Sequence, residues 1–196
     1  MTSLRLQKKL ATRGLKLFTP TDFRRALGLS PLAAYRALQR YVQQGAISRL
    51  RNGLYILKWT SLDPLLIANH LYRPSYLSYE TALSYHNLIP EAVYAIVSAT
   101  SRRSHEFEVN NQAFIYHAIK RHAFTGYKGV KLGPDIVLMA DPEKALCDYL
   151  HLVFLRKKNL NDRIAWNKIT QGKLLRYANL FKPEAFSRWV KNVIPR

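Results

Sequence analysis

Phe18 to Ile47 reads FTPTDFRRALGLSPLAAYRALQRYVQQGAI, and its punctuation decides the fold of the first part of the chain. Thr19 suits a helix N-cap, Pro20 the first helical position, and Asp22 can return a hydrogen bond to the cap. The helix they open runs to about Leu27, where Gly28 supplies a left-handed stop. Ser30 and Pro31 repeat the cap-and-proline signal and start a second helix that reaches Gly45. Two helices joined by so short a turn form a helix-turn-helix. The next stretch, ISRLRNGLYIL (Ile47 to Leu57), predicts two short strands around the turn residues Asn52 and Gly53. The whole therefore reads as a winged helix. Upstream, LRLQKKLATR (residues 4–13) reads as a short helix with a basic polar face that ends at Gly14.

Periodicity assigns the faces of the second helix. Ala34, Leu38, Tyr41 and Val42 fall at three- and four-residue steps and are expected to face the core. Tyr35, Arg36, Gln39, Arg40 and Gln43 are left pointing outward. Arginine and glutamine can make paired hydrogen bonds to guanine and adenine edges in a major groove. Arg24 and Arg25, on the preceding helix, are placed for phosphates. Arg49, Arg51 and Asn52 at the hairpin tip suit a minor groove or the flanking backbone. With Ser30 at the helix start, these eleven residues form the candidate DNA-binding set, and the expected partner is double-stranded DNA.

Charge supports the same partner. The 196 residues carry 31 Lys and Arg against 12 Asp and Glu, a net +19. Residues 1–60 hold 12 basic and 1 acidic side chain, residues 61–150 hold 8 and 9, and residues 151–196 hold 11 and 2. Two basic ends around a neutral middle call for a polyanionic partner, because self-repulsion of that size is otherwise unrewarded. Cys147 is the only cysteine, which excludes an internal disulfide and any multi-cysteine zinc site. No apolar run approaches the roughly 18 residues of a membrane-spanning helix. The start, MTSLRLQKKL, lacks the apolar core of a signal peptide. A cytoplasmic protein without a cofactor is the expectation.

Beyond residue 60 the pattern changes to α+β. SLDPLLIANHL starts a helix with Ser61 or Asp63 near its cap. YLSYETALSYHNLIPE (Tyr76 to Glu91) gathers Ser78, Tyr79, Glu80, Tyr85 and His86, types that enzymes use. As a helix, however, it places Glu80 and His86 about 120° apart. Tyr79, Ala82, Leu83 and His86 share one side, which predicts a half-buried amphipathic helix with His86 hydrogen-bonded at its end. VYAIVSAT, FEV and FIYHAI read as strands separated by turns, and Gly126, Gly129 and Gly133 break up the segment that follows. IVLMA reads as a buried strand, and Asp141 with Pro142 caps the helix EKALCDYLHLVFL. The tail is basic, with periodic apolar residues such as Leu174, Leu175, Leu180, Phe186 and Trp189, and predicts short helices. The expected architecture is a winged helix over 1–60, an α+β domain over 61–155 and a basic helical extension over 156–196.

Catalytic patterns are sparse. The six histidines form no HExxH, and His117 and His122, five apart on expected strands, point to opposite faces. PDIVLMADPEKAL is near the nuclease arrangement in which carboxylates hold Mg²⁺ and a lysine steadies the attacking water. Here Asp141 precedes Lys144 by three positions instead of two, and Pro142 stands where the acid is needed. The favoured reading has no catalysis and no metal. The alternatives are a Mg²⁺-dependent nuclease using Asp135, Glu143 and Lys144, or an RNA-binding module.

Three segments together resemble the AbiEi-type antitoxins of type IV toxin–antitoxin systems. The winged-helix stretch, including Gly53 and Tyr55, is similar to that family's N-terminal domain. PSYLSYETALSYHNLIPE resembles its hallmark Ala-Leu-Ser followed by His-Gly-Leu. Asn87 stands where the glycine is usual, and asparagine is the next-best residue for a left-handed helix end. FTGYKGVKLGPDIVLMADPEKALCDYL is similar to the end of the C-terminal domain. The resemblance implies an antitoxin domain and repression of the protein's own operon through an operator in its promoter. It also implies antagonism of a nucleotidyltransferase-like toxin without stable contact between the two proteins. Dimerisation on DNA stays open.

Overall fold

The computed structural model describes residues 3–58, 60, 62–182 and 184–195, with backbone alone at residues 3 and 4. They fall into two compact units divided between Asp63 and Pro64. The fold is α+β, with a winged helix at the N-terminal end.

In the first unit the order is α1 (Ser3–Ala11), β1 (Leu17–Phe18), α2 (Pro20–Leu27), α3 (Pro31–Gln43), β2 (Ile47–Arg51) and β3 (Leu54–Leu57). The caps act as their residue types dictate. Thr19 Oγ1 accepts from the Asp22 amide at 3.2 Å while Asp22 accepts from the Thr19 amide at 2.9 Å, and Gly28 ends α2 at φ 66. Ser30 Oγ accepts from the Ala33 amide at 3.3 Å and opens α3. Strand β1, too short to show in the sequence, pairs with β3 (Phe18 opposite Tyr55), so the wing is a three-stranded sheet in the order β1-β3-β2. Phe18, Phe23, Leu38, Tyr41 and Ile47 are buried together with Leu6 and Leu10 of α1, and Phe18 stacks on Phe23 and Tyr55. Val42, expected in the core, is only partly buried at its margin.

The second unit runs α4 (Pro64–Leu71), β4 (Ser75–Leu77), α5 (Tyr79–Tyr85), β5 (Ile96–Thr100), β6 (His105–Val109), β7 (Gln112–Ala118), β8 (Tyr127–Leu132), β9 (Asp135–Ala140), α6 (Pro142–Phe154), α7 (Gln171–Ala178) and α8 (Ala185–Val193). Of the two cap candidates for α4, Ser61 lies outside the described residues. The sheet has the order β6-β7-β5-β4-β9-β8, with β4/β9 and β5/β7 parallel and the other pairs antiparallel.

The structure departs from the sequence expectations at several points. Tyr76 and Leu77 belong to β4, not to the helix, because β5 and β9 flank them and take their backbone groups. The glycine-broken segment is strand β8, which carries Gly129 opposite Leu138 in a hairpin. IVLMA is a strand but is buried on one face only: Val137 and Met139 are fully buried, while Ile136 is 61% exposed. His122 lies in a 3-10 turn rather than a strand. The amphipathic reading of α5 holds. Tyr79, Ala82 and Leu83 are buried, His86 Nε2 bonds the Ala140 carbonyl oxygen at 2.9 Å, and Asn87 ends the helix at φ 53. Leu88 N–H donating to Leu83 O at 2.8 Å completes that stop.

Candidate nucleic-acid interface

Helix α3 is fixed at its start by the Ser30 cap and Pro31, and along its length by Ala34, Leu38 and Tyr41 in the core. At about 100° per residue, Leu32, Arg36, Gln39, Arg40 and Gln43 fall within one strip on the opposite side, spanning roughly 100°. Arg36, Arg40 and Gln43 are exposed and Gln39 is half-buried. The guanidinium of Arg40 lies over the Tyr41 ring, 5.0 Å from its centroid, which limits the orientations it samples. Tyr35 is 63% exposed at the edge of the strip. The structure therefore brings together the α3 residues that the sequence singled out.

The flanking candidates sit on neighbouring elements. Arg24 and Arg25 occupy the last turn of α2, half-buried and exposed respectively. Gly28, in the left-handed conformation, sets the turn from α2 into α3. On the wing, Arg49 pairs opposite Tyr55 and Arg51 opposite Leu54, so a bulge at Leu50 separates them. Adjacent residues of β3 face opposite ways, and the two arginines consequently face opposite sides of the hairpin. They do not act as one pair. Arg51 Nη1 donates to the Asn52 carbonyl oxygen at 2.6 Å, so Arg51 stays with the turn.

Two features escaped the sequence. Leu32 is 60% exposed within the α3 strip, although an apolar residue on an amphipathic helix is ordinarily assigned to the core. A groove of about 570 Å³ runs beside the strip, lined by Lys9 of α1, Leu27, Leu29, Ala33, Arg36, Ala37, Arg40 and Tyr41. Its three cations extend the basic surface from α3 onto α1, whose basic face the sequence did show.

In the second unit the enzyme-like residues are dispersed. Asp135 begins β9 and Asp141 follows its end, about 20 Å apart at strand rise. Asp141 caps α6, accepting from the Lys144 amide at 2.9 Å, the Tyr177 hydroxyl at 2.6 Å and Lys173 at 3.1 Å. Glu143 accepts from the Thr170 amide at 3.2 Å and pairs with Lys173 at 2.8 Å. Lys144 turns the other way, to a buried pair with Asp148 at 0% exposure on both sides. Asp148 also accepts from Ser78 Oγ at 2.7 Å and from the Tyr76 hydroxyl at 3.0 Å. Burial, with the Asp148 charge beside it, pushes the Tyr76 hydroxyl far up, so it stays a donor. Of the three residues a nuclease would need, this buried network holds Lys144 alone; Glu143 is paired with Lys173, and Asp135 lies at the far end of β9. No group of three or more His, Cys, Asp or Glu among the described residues could hold a metal ion.

Fold and surface define a winged helix whose α3 presents arginine and glutamine side chains beside basic flanks. Residues 5–58 match the family described as transcriptional regulator, AbiEi antitoxin. The resemblance to AbiEi-type antitoxins drawn from the sequence is thus supported, on the segment that holds the winged helix. No curated protein matches the chain. No helix among the described residues is long and apolar enough to cross a membrane.

Proposed function

We propose that this protein is the antitoxin and autorepressor of a type IV toxin–antitoxin operon, binding an operator in its own promoter through α3. The reading rests on one observation above others: Arg36, Gln39, Arg40 and Gln43 project from the strip of α3 that leaves the core. In the proposed complex these four read base edges in the major groove, and Tyr35 enters it beside them. Ser30, Arg24 and Arg25 hold phosphates, while the wing reaches the flanking backbone with Arg49 on one side of the hairpin and Arg51 with Asn52 on the other. The basic tail extends the footprint. The second unit antagonises a nucleotidyltransferase-like toxin without a stable complex and without catalysis.

The division of labour is tested by gel shift with single base-pair replacements across the promoter. Arg40→Ala relaxes the preference at one position by about 1–3 kcal/mol. Arg25→Ala weakens every duplex alike and flattens the dependence on salt. Equal losses on every sequence for both variants contradict the assignment. Cleavage of plasmid or RNA in Mg²⁺ that Asp135→Ala abolishes would replace it with a nuclease, and preference for single strands with an RNA-binding module.

A further inference from the structure

We infer that Leu32, with Tyr35, reads the C5-methyl groups of thymine, so that the bound half-site carries thymine at the positions met by the first two turns of α3. The inference rests on the proposed reading of bases by α3 and adds to it the identity of the base.

Leu32 is the second residue of α3 and is 60% exposed; Tyr35, one turn on, is 63% exposed. A single exposed leucine needs no explanation. Here two large apolar side chains are neighbours at the N-terminal end of a recognition helix, the end whose residues meet base edges in a helix-turn-helix. Leu32 lies about 40° from Arg36 around the axis, inside the polar strip and not at its border with the core. The first turn is otherwise free of bulk and of negative charge: Pro31, Ala33 and Ala34 surround Leu32, and no acid is present. That turn can enter a groove closely, and the only specific chemistry it offers a base is apolar. In the major groove the thymine methyl is the group that matches it.

The surroundings favour DNA over a second copy of this chain. A second copy docking on this strip through its own α3 would gather the Arg36 and Arg40 side chains of both copies in one interface, a like-charge arrangement that costs stability. Phosphates on either side of a major groove are attracted by the same two arginines and by Lys9 in the adjoining groove.

The test uses the full chain and its own promoter duplex, with the protected segment mapped first. Each thymine in that segment is replaced singly by deoxyuridine, which deletes only the methyl group. At one or two thymines the affinity falls about fourfold, the equivalent of about 0.8 kcal/mol for one buried methyl. Leu32→Ala weakens binding by a similar factor and no longer distinguishes thymine from uracil at one of these positions; Tyr35→Ala behaves likewise at its neighbour. Uniform affinity at every deoxyuridine position overturns the inference, as does a thymine-to-uracil ratio that Leu32→Ala leaves unchanged. So does a Leu32→Ala protein that binds DNA normally but has lost a self-association seen by sedimentation. If the native protein retards no duplex, the reading of bases by α3 itself fails, an outcome distinct from these.

Discussion

Asp148 shows what a single residue can settle. Fully buried, its carboxylate takes donors from Lys144, Tyr76 and Ser78, and Lys144 also lies over the Phe181 ring at 5.0 Å. A buried ion pair is not stabilising by itself, but removing one partner strands the other charge. Asp148→Ala therefore lowers unfolding free energy by about 3–5 kcal/mol in denaturant titration, and pairing it with Lys144→Met restores much of that loss. A single variant as stable as the native protein would show the network to be incidental. The sequence hid this site for a physical reason. On one helix Ser78 and Tyr76 cannot converge, whereas β4 and the α5 cap that follows it bring them to a helix some seventy residues later. Local signals such as Asn87, by contrast, were legible because a left-handed stop needs only the residue type and its neighbours.

Among the elements, those governed by local chemistry were the readable ones. Thr19–Asp22, Ser30 and Asp141 announce α2, α3 and α6 through caps that form within four residues. Strands β1, β4 and β8 were missed because pairing with distant partners, not their own composition, makes them strands. Between α7 and the start of α6, Lys173 bridges Asp141 and Glu143. Burial pushes the Glu143 carboxyl up, but hydrogen bonds from Lys173 and the Thr170 amide outweigh it and hold Glu143 below its usual 4.5. Because its folded value is depressed, the stabilisation is present above about pH 4.5 and fades as pH falls through the folded value. Lys173, where burial is again outweighed by Glu143 and Asp141, lies above its usual 10.5, so its contribution lasts through neutral pH and is lost in strong alkali. Lys173→Met accordingly costs about 1 kcal/mol at pH 7, a modest figure because the lysine is partly exposed. Thermal melts show the difference between the two proteins shrinking as the pH is lowered below about 4.5. A difference that persists undiminished in acid would contradict the clamp.

For the whole molecule, charge is the property with functional reach. Residues 1–60 carry 12 basic side chains against 1 acidic one, and this segment forms the unit with the exposed α3 strip. The charge map was legible in composition alone, and the proposed partner class follows from it. The exposed strip of α3 was partly legible: periodicity found Arg36, Gln39, Arg40 and Gln43, but not Leu32, whose type signals burial. Nor could periodicity reveal that a bulge sends Arg49 and Arg51 to opposite faces. The central claim is sequence-specific recognition of the protein's own promoter, and the direct measurement is a competition gel shift at physiological salt. A labelled promoter duplex is challenged with itself and with a shuffled duplex of equal length and composition. The promoter is expected to compete at least about a thousandfold better, the lower bound for specific over non-specific binding. Equal competition by the two duplexes would contradict it.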